Sequence, residues 1–264
     1  MKKALLDVIF ASDKRKEALL LLADGPKEME SLLCSLDTTR QSLLPQMRIL
    51  EEHYLVDHSG DTYRLTDIGH LIINKAIPLL DSVDVFESEV EYWGTRKLEF
   101  IPSHLLKRIG ELGECKVLNP PLTEIHYIHS RFHETNKKSD SLFVVTTFFF
   151  ANYINLFRQL IANNTETHFI ISTELLEKLH NDASSSESLK ESIESDLFHL
   201  YVYDKKMNTI SFAFNDYCIL MRTLTIEGKT DHKILVCYGS GAIEWARELF
   251  DHYMKDARPV TGLS

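Results

Sequence analysis

Residues 38–69, TTRQSLLPQMRILEEHYLVDHSGDTYRLTDIG, cannot form one regular element. Leu43, Met47 and Leu50 recur at i, i+4 and i+7, the spacing that puts three apolar side chains on one face of a helix. After Leu55-Val56, the run Asp57-His58-Ser59-Gly60-Asp61 is turn chemistry, and Thr62-Tyr63-Arg64-Leu65 beyond it has the composition of a short strand. Thr66 then offers the hydroxyl of a helix N-cap, with Asp67 in the first turn, where a negative charge is favoured. The order is helix, two-stranded ribbon, helix.

Two shorter helices are predicted upstream. The first runs from about Asp13 to Ala23, capped by Ser12 or Asp13, with Ala18, Leu19 and Leu22 inward. Asp24-Gly25-Pro26 ends it, and a second helix from about Pro26 to Leu36 would bury Met29, Leu32 and Leu33. With Asp37-Thr38-Thr39 as the turn, the whole reads as a winged helix-turn-helix, which makes double-stranded DNA the first partner to consider. Pro45 inside the third helix would remove a hydrogen bond and cost about 3 kcal/mol. A start near Ser42 avoids this, because Pro45 then falls in the first turn, where N–H groups have no intrahelical acceptor. Thr38, Thr39, Arg40, Gln41 and Ser42 would then lead into the helix with hydroxyls and N–H groups for a phosphate. Gln46 and Arg48 turn away from the apolar face, and His58 and Arg64 lie on the wing, whose Asp57 and Asp61 would be repelled by phosphate. A winged helix used only for protein contacts is the alternative.

The chain has 264 residues, 44% hydrophobic and 26% charged, with a formal net charge of −10. That length is comfortable for two domains of ~100–150 residues each. The first 70 residues are themselves acidic on balance, so DNA affinity must come from focal charge and depend strongly on salt. The stretch from Thr38 to Leu50 supplies it, with Arg40, Arg48 and no acidic residue. No apolar run reaches the ~20 residues of a membrane span. The apolar part of MKKALLDVIFASDKRKE is broken by Asp7, stops at Ala11 and lacks a cleavage site, so a short helix is expected rather than a signal peptide. Cys34, Cys115, Cys218 and Cys237 are scattered with no CxxC pair, which argues against a disulfide framework or a zinc site and fits the cytoplasm.

From Ile72 the apolar residues Ala76, Leu79, Val83, Phe86, Val90 and Trp93 follow at alternating spacings of four and three. This predicts a long connecting helix, 71–95, that packs on its own chain and supplies part of a homodimer interface, with a bend or break at Pro78. An interdomain core helix in a monomer is the alternative. Beyond it, strands are expected at 116–118, 141–147, 167–171, 198–203, 209–214, 217–225 and 233–238. Helices are expected at 104–112, 152–162, 174–179 and 242–255, with Asn215-Asp216 as a tight hairpin turn. The fold class is thus α+β or α/β with two domains: a winged helix-turn-helix over 1–70, the connecting helix, and a mixed α/β sheet domain over 96–264.

Four segments in order, RQSLLPQMRILEE, GDTYRLTDIG, IPSHLLKRIGEL and GAIEWARELFDHY, resemble the archaeal regulators that join an ArsR-like winged helix to the FilR1 domain, formerly DUF1724. The resemblance covers nearly the whole chain. It implies transcriptional control of methanogenesis genes, assigns DNA contact to Thr39, Arg40, Gln41 and Ser42, and brings no catalytic residue.

Chemistry in the second domain is sparse. His126, His129 and His133 of HYIHSRFH would share a helix face near Glu124 and Glu134, but the spacing is no standard metal motif. Gly239-Ser240-Gly241 follows a strand and opens a helix, where an anion can meet free N–H groups; a tight strand-to-helix turn is the simpler reading. No GxSxG, HExxH, P-loop or HxK pattern occurs. No metal, cofactor or enzymatic activity is expected, and these histidines and glycines are at most effector contacts.

Overall fold

The computed structural model describes residues 4–121, 130–149, 153–181 and 189–262. The chain packs as two units, Met1–Leu80 and Asp81–Ser264. In the first, helices α1 (Leu5–Phe10) and α2 (Asp13–Ala23) precede a two-residue strand β1 (Lys27–Glu28), helices α3 (Met29–Ser35) and α4 (Arg40–Glu52), and a hairpin β2 (Val56–Ser59) and β3 (Thr62–Leu65). The start of α5 (Asp67–Ser88) completes it. Ala18, Leu19 and Leu22 of α2 meet Met29 and Leu32 of α3 and Leu43, Met47 and Leu50 of α4 in one core, as their helical spacing predicts. The helix expected from Pro26 begins at Met29 instead, because Lys27 and Glu28 pair antiparallel with Tyr63 and Thr62 and extend the hairpin to three strands. Thr66 accepts a hydrogen bond from the Gly69 N–H at 3.1 Å, the expected cap. Gly69 lies so close to the preceding segment that a Cβ there would sit 2.1 Å from the Leu55 carbonyl oxygen.

Pro45 lies inside α4, whose first residue is Arg40 and whose cap is the extended Thr39. The helix therefore starts two residues before the predicted Ser42. The Ser42 and Leu43 N–H groups both donate to the Thr39 carbonyl, so the turn ahead of Pro45 closes, and the proline removes only the bond that its own N–H would have made. Pro78 is likewise held within α5 without ending it. The break comes later, at Glu89 (φ −147°, ψ 51°), before a short helix α6 (Val90–Trp93), so the apolar series to Trp93 is not carried on one continuous helix. Ile73 and Ala76 enter the first unit's core, and Val85 and Trp93 that of the second.

The second unit continues with α7 (Ser103–Leu106), a 3-10 turn (Ile109–Leu112), β4 (Cys115–Leu118), α8 (Ser130–Asn136), β5 (Ser141–Thr146), α9 (Tyr153–Ala162), β6 (Glu166–Ser172) and α10 (Thr173–Asn181). It ends with β7 (Phe198–Tyr203), β8 (Ser211–Asn215), β9 (Cys218–Arg222), β10 (Ile234–Tyr238), α11 (Ser240–Met254) and β11 (Ala257–Pro259). Its eight strands form one mixed sheet in the order β11-β7-β6-β5-β8-β9-β10-β4, with β5, β6 and β7 parallel and the remaining pairs antiparallel. Successive side chains of a strand face opposite sides. Phe143 and Val145 thus join one core with Trp245, Leu249 and Phe250 of α11, while Leu142 and Val144 join another with Phe157 and Leu160 of α9. Burial on both faces explains the unbroken apolar run of β5.

Cys115 and Cys237 form a disulfide, contrary to the expectation of none. They face each other across the antiparallel pair β4 and β10 but lie 122 residues apart, so their spacing carried no signal. Cys34 and Cys218 are not disulfide-bonded. No described helix is long and apolar enough to cross a membrane.

Candidate nucleic-acid interface and effector cavity

The amino end of α4 presents Thr39, Arg40 and Gln41 to solvent, and Arg48 lies exposed two turns further along. Lys14 of α2 reaches this end and donates to the Thr38 hydroxyl at 2.9 Å and to the Ser42 hydroxyl. Hydroxyls, an ammonium and the first N–H groups of the helix therefore converge, a combination suited to a phosphate oxygen. Lys14 precedes Thr38 by 24 residues, and only the packing of α2 against α4 brings it there.

Arg40, Arg64, His58 and Gln46 are engaged within the unit. Arg40 is paired with Asp61 and lies 3.7 Å from Glu30, and the hydrogen bond to Asp61 holds its guanidinium above the usual arginine range. Arg64 donates to Asp57 at 2.6 Å, which pulls that carboxyl below its ordinary pKa. His58 meets Glu51 at 2.5 Å and stacks on Tyr63, with ring centroids 5.2 Å apart. Each acidic wing residue expected to repel phosphate thus neutralises a neighbouring cation. Arg48 makes no ion pair among the described residues. Gln46 is turned inward, its side-chain oxygen accepting from Arg15 at 2.6 Å. Arg15 is only 5% exposed and also donates to the carbonyls of Val8 and Asp7, so a buried cation satisfied by neutral acceptors ties α1, α2 and α4 together.

In the second unit, His126 and His129 lie outside the described residues. His133 is half-buried on α8, beside a Glu134 that pairs with Lys137 at 3.0 Å. Gly239 caps α11 with φ +104°, a conformation that side chains rarely adopt, and a Cβ at Gly241 would lie 3.1 Å from the Glu111 carbonyl. Close backbone packing therefore accounts for this turn. His133, Gly239, Ser240 and Gly241 are not among the described residues lining the prominent cavity of the unit, about 570 Å³ in volume, which opens where β5 and β6 end. Thr147, Ser172 and Arg222 with the charged Glu174, Lys206 and Asp231 supply much of its polar wall, and Met207 and Ile210 part of its apolar wall. Burial lowers the Arg222 pKa. The carboxyl ends of parallel strands are the usual ligand position in open α/β sheets, and the volume suits a small molecule. The residues come from five separate segments, which left them illegible in the sequence.

Two family models match the chain: the N-terminal domain of methanogenesis regulatory protein FilR1 over residues 3–84, and the middle domain of the same protein over residues 125–256. The methanogenesis regulatory protein FilR1 of Methanothrix harundinacea (strain 6Ac) is 22% identical over 259 residues, covering 96% of this chain. The chain spans 57% of the length of that curated relative. Among solved structures, TrmBL2, an archaeal chromatin protein, matches with a TM-score of 0.42 and 14% identity over 97% of each chain. Nuc from Salmonella typhimurium, a phospholipase D family member, matches 56% of this chain and 99% of its own, with a TM-score of 0.42 and 8% identity. Both scores are too low to transfer a function.

Proposed function

Because the chain belongs to the family of the methanogenesis regulatory protein FilR1, we propose that it is a DNA-binding transcriptional regulator, dimeric and cytoplasmic, that controls methanogenesis-related genes. In this reading residues 1–70 are an ArsR-like winged helix-turn-helix, 71–95 the connector, and 96–264 an effector-sensing or dimerising domain without catalysis. The observation that carries it is α4. Its exposed end gathers Thr39, Arg40, Gln41 and the Lys14 ammonium, and no acid occurs between Thr38 and Leu50.

Ile68, Leu71, Leu79 and Val83 are exposed on α5 and fall on one side at ~100° per residue, which favours a second copy of the chain against this helix. Two weak heads held together would gain affinity that one alone lacks. A small effector in the cavity at the ends of β5 and β6 would shift the heads only by binding one arrangement better than the other.

One observation favours a protein-contact module instead: Arg40, Arg64 and His58 already have carboxylate partners. Fluorescence anisotropy on duplex DNA from upstream of the chain's own gene, titrated with salt, separates the two. Regulator function predicts binding whose logarithm falls linearly with log salt, and a slope reduced by ~1 in Arg48→Ala and in Arg40→Ala. Absence of binding at low salt leaves the protein-contact module.

A further inference from the structure

We propose that Glu166, His168 and His199 form a binding site for one divalent first-row transition metal ion, with zinc the leading candidate. The three residues come from neighbouring parallel strands. His168 of β6 lies directly across from His199 of β7, and Glu166 stands two residues before His168, on the same face of the sheet. A Glu166 carboxylate oxygen is 3.1 Å from His168 Nε2 and 3.2 Å from His199 Nε2, and the three ligand atoms all lie within 4.8 Å of one another. Ligand atoms ~2.0–2.1 Å from a tetrahedral zinc are separated by ~3.3 Å, so two of the three spacings already match and the third closes with small rotations of the rings.

The rings are held in place before any metal arrives. Phe214, Phe143, His168 and His199 face one another across β8, β5, β6 and β7, and their centroids stand 4.7, 4.9 and 4.8 Å apart along the series. The two histidines are the last two rungs of this ladder. Phe250 of α11 meets the edge of the His168 ring at 6.4 Å. Arg247 is the opposing charge, but its guanidinium sits over Phe143, 4.7 Å from the centroid and one rung away.

Two imidazoles and one carboxylate are a nitrogen-oxygen set that suits zinc, cobalt or nickel rather than magnesium or calcium, which take oxygen ligands. The Glu166 side chain is half exposed, so an ion can enter from solvent and keep a fourth position open to water or an incoming ligand. The site is distinct from the cavity at the ends of β5 and β6, none of whose lining residues it shares. It also stands apart from the DNA-binding proposal and needs no operator for its test.

The test uses the untagged full chain, stripped with chelator and carrying Cys34→Ser to remove the exposed thiol. Zinc titration by calorimetry is expected to show one equivalent, and cobalt to give visible absorption of a nitrogen-oxygen site without thiolate charge transfer. Glu166→Gln/His199→Asn alters partly exposed side chains and should fold, as judged by circular dichroism, yet weaken zinc binding by more than the ~10–100-fold that loss of an orienting partner brings. His168→Asn should do the same. Zinc should also raise the melting temperature of the parent and not of the variants. No stoichiometric binding by the parent at micromolar zinc overturns the proposal, and so does an unchanged affinity in the folded double variant.

Discussion

The two units of this chain differ in how far apart in sequence their paired side chains lie. In Met1–Leu80 the charged side chains find partners within 31 positions, from Arg64 with Asp57 and His58 with Glu51 across seven to Arg15 with Gln46 across 31, around a core made by neighbouring helices. Asp81–Ser264 has local pairs too, Glu134 with Lys137 among them, but other pairings span the unit. Cys115 joins Cys237, Arg96 meets Asp231, and Arg108 bonds to Glu248 at 2.8 Å, each linking segments more than a hundred residues apart. The contrast teaches where chemistry arises in each: in the first from what a helix displays, in the second from what strand order brings together.

Trp245 is fully buried in the second unit and its indole N–H donates to the Leu105 carbonyl at 3.0 Å. Trp245→Ala should destabilise that unit by about 3–5 kcal/mol and leave the melting of the first unchanged. Gly69→Ala is the reciprocal probe. A methyl group 2.1 Å from the Leu55 oxygen should cost the first unit about 1–3 kcal/mol. Calorimetry resolves both, and a joint shift of the two transitions would show that the units do not melt separately.

Disulfide removal should follow in size. Cys115→Ala/Cys237→Ala is expected to lower the stability of the second unit by about 2–5 kcal/mol under non-reducing conditions. Peptide mapping without reductant checks the bond, and its absence would remove this difference between the units.

Alkaline pH should also act mainly on the second unit. Burial pushes Tyr92 and Tyr153 up to about 12, and Tyr253 is raised as well, whereas an unfolded tyrosine titrates near ~10. Between roughly pH 10 and 12 the folded chain keeps protons that the unfolded chain has lost, so stability present below pH ~10 falls as pH rises. Denaturant midpoints across this range should drop, with Tyr92→Phe flattening the slope.

The smallest effect concerns the proposed head. Asp61→Asn releases Arg40 from its carboxylate and should raise DNA affinity a few-fold at low salt, with little change in stability. Unchanged binding would mean that Arg40 never faces the DNA.

Much of the first unit was legible because its signals are local. Leu43, Met47 and Leu50 repeat at helical spacing, and the Thr66 cap and the Ser59-Gly60-Asp61 turn act within a few residues. The start of α4 differs from the expected one because helix packing tolerates the cost of Pro45, and the turn ahead of it still closes on Thr39. In the second unit the strands were readable from β-branched and aromatic runs, and Asn215-Asp216 does join β8 to β9. The short β11 was not, since three residues gain strand character only by pairing with β7.

What the amino-acid sequence determined by itself is the set of elements and their apolar faces, because periodicity and turn chemistry act within a few residues. It also carried the family, through short motifs in fixed order. Tertiary structure alone decided the partners: Asp61 on Arg40, Lys14 on Thr38, the cavity at the ends of β5 and β6, and His168 beside His199. These depend on strand register and helix packing between distant segments, where one step of register would turn every side chain to the opposite face.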